Sequence, residues 1–132
     1  MSGSSWAAGP PLARHLGIED GGAAQGVARL SLPHRPEIAN RKGDVHGGAL
    51  MALLDMVAAN AVRSLVPEAA GLSTVMLATA FIAPGRGALH AEGKALQAGG
   101  TVAFAEARVT DETGRLVATA QGSWRIIRKA AP

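Results

Sequence analysis

Apolar residues recur almost without a break from His46 to about Ser64, through Gly-Gly-Ala-Leu-Met-Ala-Leu-Leu-Asp-Met-Val-Ala-Ala-Asn-Ala-Val-Arg-Ser. Ala, Leu and Met are good helix formers, so this stretch predicts a helix that ends before Pro67. It is apolar nearly all round, the pattern of a helix wrapped by other structure rather than lying on a surface. Elsewhere the pattern is that of strands. "GVARLSLP" (26–33) alternates Val27, Arg29 and Ser31 against Ala28, Leu30 and Leu32, as a half-buried strand does. Four further β-like segments follow the helix, at 72–82, 87–97, 101–111 and 115–127. The links "APGR", "AGG" and "ETG" have turn chemistry. No helix-sized segment separates these strands, so they are expected to run antiparallel, as a four-strand meander. "HRPEIANRKGD" (34–44) reads as a loop.

The N-terminal residues are rich in Gly, Ser, Ala and Pro and predict a flexible tail over 1–13, with "PLARHLG" (11–17) able to form one or two helical turns. A single domain is expected over 14–130. Its order of strand, long buried helix and antiparallel strands is that of an α+β protein, one helix packed on a curved sheet.

Composition narrows the chemistry. The chain has 132 residues and 48% hydrophobic content, enough for one packed domain, but only 3% aromatics, so the core is built from Ala, Val, Leu and Ile. There is no cysteine, which excludes disulfides, thiolate metal sites and a cysteine nucleophile, and accords with a cytoplasmic setting. Asp55, Asn60 and Arg63 interrupt the longest apolar run, so no membrane span is expected. The N-terminus lacks the basic-then-apolar pattern of a signal peptide. The net charge is +3, but Lys and Arg are scattered and stacking aromatics nearly absent. Nucleic acid is therefore a poor partner, and a phosphate-bearing small molecule a better one.

The stretch "GDVHGGALMALLDM" (43–56) concentrates the candidate chemistry. Gly47 and Gly48 fall where the helix begins, at free backbone N–H groups and a partial positive charge. Without side chains, they would let a ligand carbonyl or anion approach those N–H groups; alternatively they only provide a tight turn. Asp55 has Met51, Ala52, Ala58 and Ala59 as its helical neighbours, none able to pair with it. A carboxylate in such a run is either functional or paired from elsewhere, by a backbone N–H or a distant Arg. His46 and Asp55 lie nine residues apart, a rise of about 13.5 Å. They meet at one reacting atom only if Asp55 comes from a second copy of the chain, in a two-fold dimer holding two sites.

The spacing of Asn40, His46, Gly47, Gly48 and Asp55 resembles the signature of hotdog-fold acyl-CoA thioesterases of the phenylacetic acid degradation type. "HLGIE", "TVMLATAFIAPGRG", "AEGKALQAGG" and "EARVTDETGRLVATAQGSW" fall in the expected order, so the resemblance covers nearly the whole chain from about residue 14. It implies a long helix wrapped by a curved antiparallel sheet, with an acyl-CoA site at a homodimer interface and dimers pairing into tetramers. By resemblance, Gly47 N–H polarises the thioester carbonyl, His46 and Asn40 orient the thioester and its loop, and the partner's aspartate at position 55 attacks the carbonyl or activates a water. No cofactor or metal is implied.

The resemblance also implies a hydroxyl on the strand after the helix. Ser73 and Thr74 both offer one but point to opposite faces; counting back from "FIAPGR" selects Thr74, counting forward from Asp55 selects Ser73, and Thr74 is preferred. Gly48, Leu54, Ala58, Ser73, Phe81, Pro84, Arg86 and Gly99 complete the expected substrate contacts, with the apolar helix residues Leu54, Ala58, Ala59 and Val62 lining the acyl group. The turn Gln97–Gly100 lacks the basic residues that hold the nucleotide end of CoA in relatives, which leaves Arg41, Lys42, Arg86 or Arg128 for the phosphates. His15, His34 and His90 lack metal-ligand spacing and read as structural or exposed. The alternatives are a non-catalytic acyl-CoA binder, against which Asp55 argues, and a hotdog hydratase, whose Asp–His arrangement is not found.

Overall fold

The computed structural model describes residues 9–130; residues 1–8 of the expected tail lie outside that range. The short helix α1 (Pro11–Leu16) opens on a proline and closes on Gly17, whose φ of 80° is the left-handed cap that glycine adopts readily. Ala13 on α1 is buried, so the packed domain starts ahead of residue 14. A strand pair follows, β1 (Glu19–Ala24) and β2 (Val27–Leu32). Gln25 and Gly26 join them with φ values of 54° and 82°, the mirror-image turn that suits the twist of a hairpin. β1 has no expected counterpart: "EDGGAA" shows no alternation and contains two glycines.

Helix α2 (Gly47–Leu65) matches the expected span, and Val66 leaves the helix just before Pro67. Strands β3 (Gly71–Phe81), β4 (Leu89–Gly99), β5 (Val102–Asp111) and β6 (Leu116–Ile127) complete one sheet, all neighbours antiparallel, in the order β1-β2-β4-β5-β6-β3. Only β4, β5 and β6 form a meander. The expected four-strand meander is corrected at "APGR", which is a crossover: β3 pairs with β6, and β4 with β2 and β5. Residues 82–88 can span about 23 Å extended, against about 14 Å for three strand spacings, so a short link suffices. Bulges at the registers of β3 with β6 and of β4 with β5 help the sheet to curve. A single central helix on a six-stranded, curved antiparallel sheet is the hotdog arrangement.

The helix buries Ala49, Leu50, Leu53, Leu54, Val57, Ala58, Ala61 and Val62. The floor beneath it is small, with Ala91, Ala103, Ala105 and Ala107 buried on β4 and β5. At Gly93 the backbones of strand and helix nearly touch: a Cβ there would collide with the Val57 carbonyl. The wrapping expected from the sequence covers only this one face. Met51, Ala52, Asp55, Met56, Ala59, Asn60 and Arg63 stay half-buried or exposed on the other. Gly93→Ala should therefore cost about 1–3 kcal/mol, as overpacking does, read as a lower urea midpoint at unchanged slope. An unaltered midpoint would mean that the helix does not need this approach.

Candidate active site

The first cluster forms at the start of α2. His46 is the N-cap, with extended backbone; its Nδ1 accepts the Gly48 N–H at 2.8 Å, and its carbonyl accepts Ala49 N–H at 2.9 Å. Of the two glycine N–H groups expected to face a ligand, Gly48's is thus engaged. Gly47's has no acceptor among the described residues. The loop before the cap is tied down by Asn40, whose Oδ1 accepts the N–H groups of Lys42 (2.9 Å) and Asp44 (3.2 Å). His46 N–H donates to the Ile38 carbonyl and Val45 N–H to that of Gly85, each at 2.8 Å, so the β3–β4 link is fastened to the helix start. Arg86 pairs with Asp44 at 3.1 Å. A cavity of about 390 Å³ opens here, lined among others by Asn40, Gly47, Leu50, Phe81 and Pro84. The Phe81 ring lies 3.5 Å from where a Cβ on Gly47 would sit, so a side chain there would narrow the approach.

The second cluster lies two turns along α2. Asp55 Oδ1 accepts the Thr74 hydroxyl at 2.8 Å and the Trp124 indole N–H at 3.2 Å. Both bonds fall on one oxygen, and Oδ2 has no hydrogen-bond partner among the described residues. Thr74 pairs with Trp124 across β3 and β6, so both side chains point to the helix side of the sheet, while Ser73 points outward. A cavity of about 470 Å³ is lined by Asp55, Met56, Ala59, Asn60, Arg63, Leu72, Thr74 and Trp124, with Gly9 and Pro10 at its rim. Burial holds the Arg63 guanidinium below its ordinary pKa. The expected acyl lining is corrected here. Leu54, Ala58 and Val62 are fully buried on the sheet-facing stripe; of the expected lining residues Ala59 faces the cavity, and Met56, which was not expected, faces it too. Trp124 was missed as a site residue, although a buried indole N–H needs an acceptor and Asp55 is the carboxylate within the apolar run.

Gly99 is the last residue of β4, apart from both cavities. Arg128 is engaged there, bonded to the Gly100 carbonyl at 2.8 Å and to Glu68 at 2.8 Å. Lys42 borders the first cavity, whereas Arg41 is simply exposed. Another concavity, about 620 Å³, is on the outer face of the sheet among Glu92, Lys94, Glu106 and Arg108, and contains none of the expected site residues. The two clusters do not meet within one chain: Gly47 and Asp55 are eight helical residues apart, about 12 Å along the axis.

Comparison with known proteins agrees with this reading. Residues 42–118 match the model of the thioesterase superfamily, and the chain belongs to that family. A Halobacterium salinarum protein, named only provisionally as an esterase, is 35% identical over 124 residues, covering 86% of this chain and 82% of its own. Two solved structures share the fold. A thioesterase family protein from Silicibacter pomeroyi superposes with a TM-score of 0.88 at 24% identity, over 96% of this chain and 95% of its own. The E. coli PaaI protein of the phenylacetic acid degradation operon gives 0.84 at 21%, over 93% and 88%. Membership in the superfamily supports a thioester hydrolase.

The contact between Asp55 and Trp124 is open to a direct test. In a double-mutant cycle of Trp124→Phe and Asp55→Ala, the two losses in unfolding free energy should couple by about 0.5 kcal/mol or more. Strict additivity would mean that the indole N–H contributes nothing to holding the carboxylate.

Proposed function

We propose that the protein hydrolyses an acyl-CoA thioester to a free carboxylic acid and CoA, at a site shared by two copies of the chain. The observation that carries this reading is Asp55: a carboxylate that lines a cavity, with one oxygen fixed by Thr74 and Trp124 and the other without a partner among the described residues. Gly47 N–H, unpaired at the positive end of α2, is the complementary donor. The thioester carbonyl oxygen accepts from the Gly47 N–H of one chain, and Asp55 of the other attacks the carbonyl carbon or takes a proton from an attacking water. The carbon–sulfur bond then breaks and CoA leaves as its thiol, taking up the proton that the water gives; where Asp55 itself attacks, that water next hydrolyses the mixed anhydride, which releases the acid and restores the carboxylate. A preorganised donor of this kind contributes about 3 kcal/mol and a positioned base roughly 10²–10⁴-fold.

A partner chain is supported by what one chain leaves open. The far face of α2 presents Met51, 41% exposed, beside Asp55, and β3 is an unpaired edge of 11 residues with Val75 at 64% and Phe81 at 54% exposed. Long apolar edges are usually covered by another strand or chain. The pairing of such dimers into tetramers belongs to the same reading, with the acyl group left open between aryl and medium-chain.

Asp55→Asn, nearly isosteric, should lower kcat at least about 100-fold on a CoA thioester while light scattering still reports a dimer or larger. Hydrolysis at the native rate would remove Asp55 from the chemistry. Complementation tests the sharing. His46→Ala damages the donor side and Asp55→Ala the carboxylate, so each homodimer has two broken sites, whereas a mixed dimer has one intact. Co-refolded in equal amounts, with mixing verified by differently tagged chains, they should regain about a quarter of native activity, since about half of randomly paired dimers are mixed. Activity no higher than that of the separate variants would place each site within one chain.

A further inference from the structure

The cavity beside Asp55 is not uniform along its length. Its apolar lining includes Met56, Ala59 and Leu72, while along α2 Asn60 and Arg63 lie about one and a half and two turns beyond Asp55. Arg63 is half-buried on the same open face of α2 as Asp55, and its Nη1 donates to Asn60 Oδ1 at 3.1 Å. It forms no ion pair among the described residues, although four other arginines do. A guanidinium in the last turn of a helix often serves the terminal carbonyls. This one reaches the other way, back toward the N-terminus and Asn60, as helical side chains tilt. A cation that gives up solvent without a carboxylate partner is placed for an anionic ligand, and the fork of an arginine matches a carboxylate with two parallel bonds.

We propose that the acyl group taken by this site ends in a carboxylate, and that Arg63, supported by Asn60, is the residue that selects it. The inference rests on the thioesterase reading above and deepens it. Distances set the length. Asn60 lies five residues beyond Asp55, about 7.5 Å along the axis, and the guanidinium folds back to that level. An extended six-carbon chain carries its far carboxyl about 6–7 Å from the thioester carbon. The match is to a dicarboxylic acid mono-CoA ester of about that length, aliphatic or aromatic, with its middle against Met56, Ala59 and Leu72. The CoA phosphates do not suit Arg63, because an extended pantetheine arm holds them about 15 Å from the thioester.

The test compares kcat/KM for three CoA esters on the native protein: adipyl, hexanoyl, and adipyl with its far carboxyl as the methyl ester. Adipyl-CoA should be preferred at least about 10-fold over both, the ratio that one charge-assisted pair supplies. In Arg63→Met the preference should fall to near one, and Arg63→Lys should restore part of it. Equal or better use of hexanoyl-CoA by the native protein overturns the inference while leaving the thioesterase reading standing, and so does an Arg63→Met variant that loses all three substrates alike. Turnover of none of the three overturns both. Should Arg63→Met not fold, the native comparison of adipyl with its methyl ester decides alone, because those two differ only in the charge that Arg63 would read.

Discussion

Helix α2 lies on the sheet at a distance that side chains of ordinary size would not permit. Gly93 removes the one Cβ that would strike the Val57 carbonyl, and alanines floor the rest of the contact. With so few aromatics to fill space, closeness replaces bulk: dispersion contacts fall off steeply with separation, so a helix held slightly further out would leave its leucines against a void. The depth at which the helix sits also fixes its rotation. The stripe from Leu50 to Val62 must face inward, and this turns Asp55 outward, away from the core and toward the strand that ends at Phe81.

The two clusters inherit their rigidity from different sources. At the helix start, the order comes from backbone: the Asn40 turn, the His46 cap and the bond from Val45 to Gly85 hold one loop against another. At Asp55 it comes from side chains on three elements, α2, β3 and β6, converging on a single carboxylate oxygen. A group held by packed helices and strands varies less in position than one held by loops.

Much of this was legible in the sequence, and the failures have physical causes. The span of α2 followed from helix formers bounded by His46 and Pro67, and the strand positions followed from alternation and turn residues. The family motif pointed to Thr74 ahead of Ser73, and it is the Thr74 hydroxyl that bonds Asp55. The partner order of the strands was not legible, because "APGR" has the composition of a hairpin turn although it crosses between non-adjacent strands. β1 escaped because an edge strand with glycines carries no alternation. Leu54 and Ala58 were misplaced because a helix that is apolar on nearly every side does not announce which stripe meets the sheet; only the burial does. Trp124 was out of reach without the register of β6 against β3, which brings together residues 69 apart in the chain.

That separation has a consequence in time as well as in space. β3 is made early, directly after the helix, yet its only partner in the sheet is β6, the last strand. Until β6 exists, β3 has nothing to pair with, and closing so long a loop carries an entropic penalty that local hairpins such as β4–β5 escape. The hydroxyl and indole that fix the Asp55 carboxylate therefore sit opposite each other on this one long-range pair, so both depend on its closure. The hold on Asp55 is thus bound to the closure of one distant strand pair, whereas the loop around His46 is held by contacts that do not involve it.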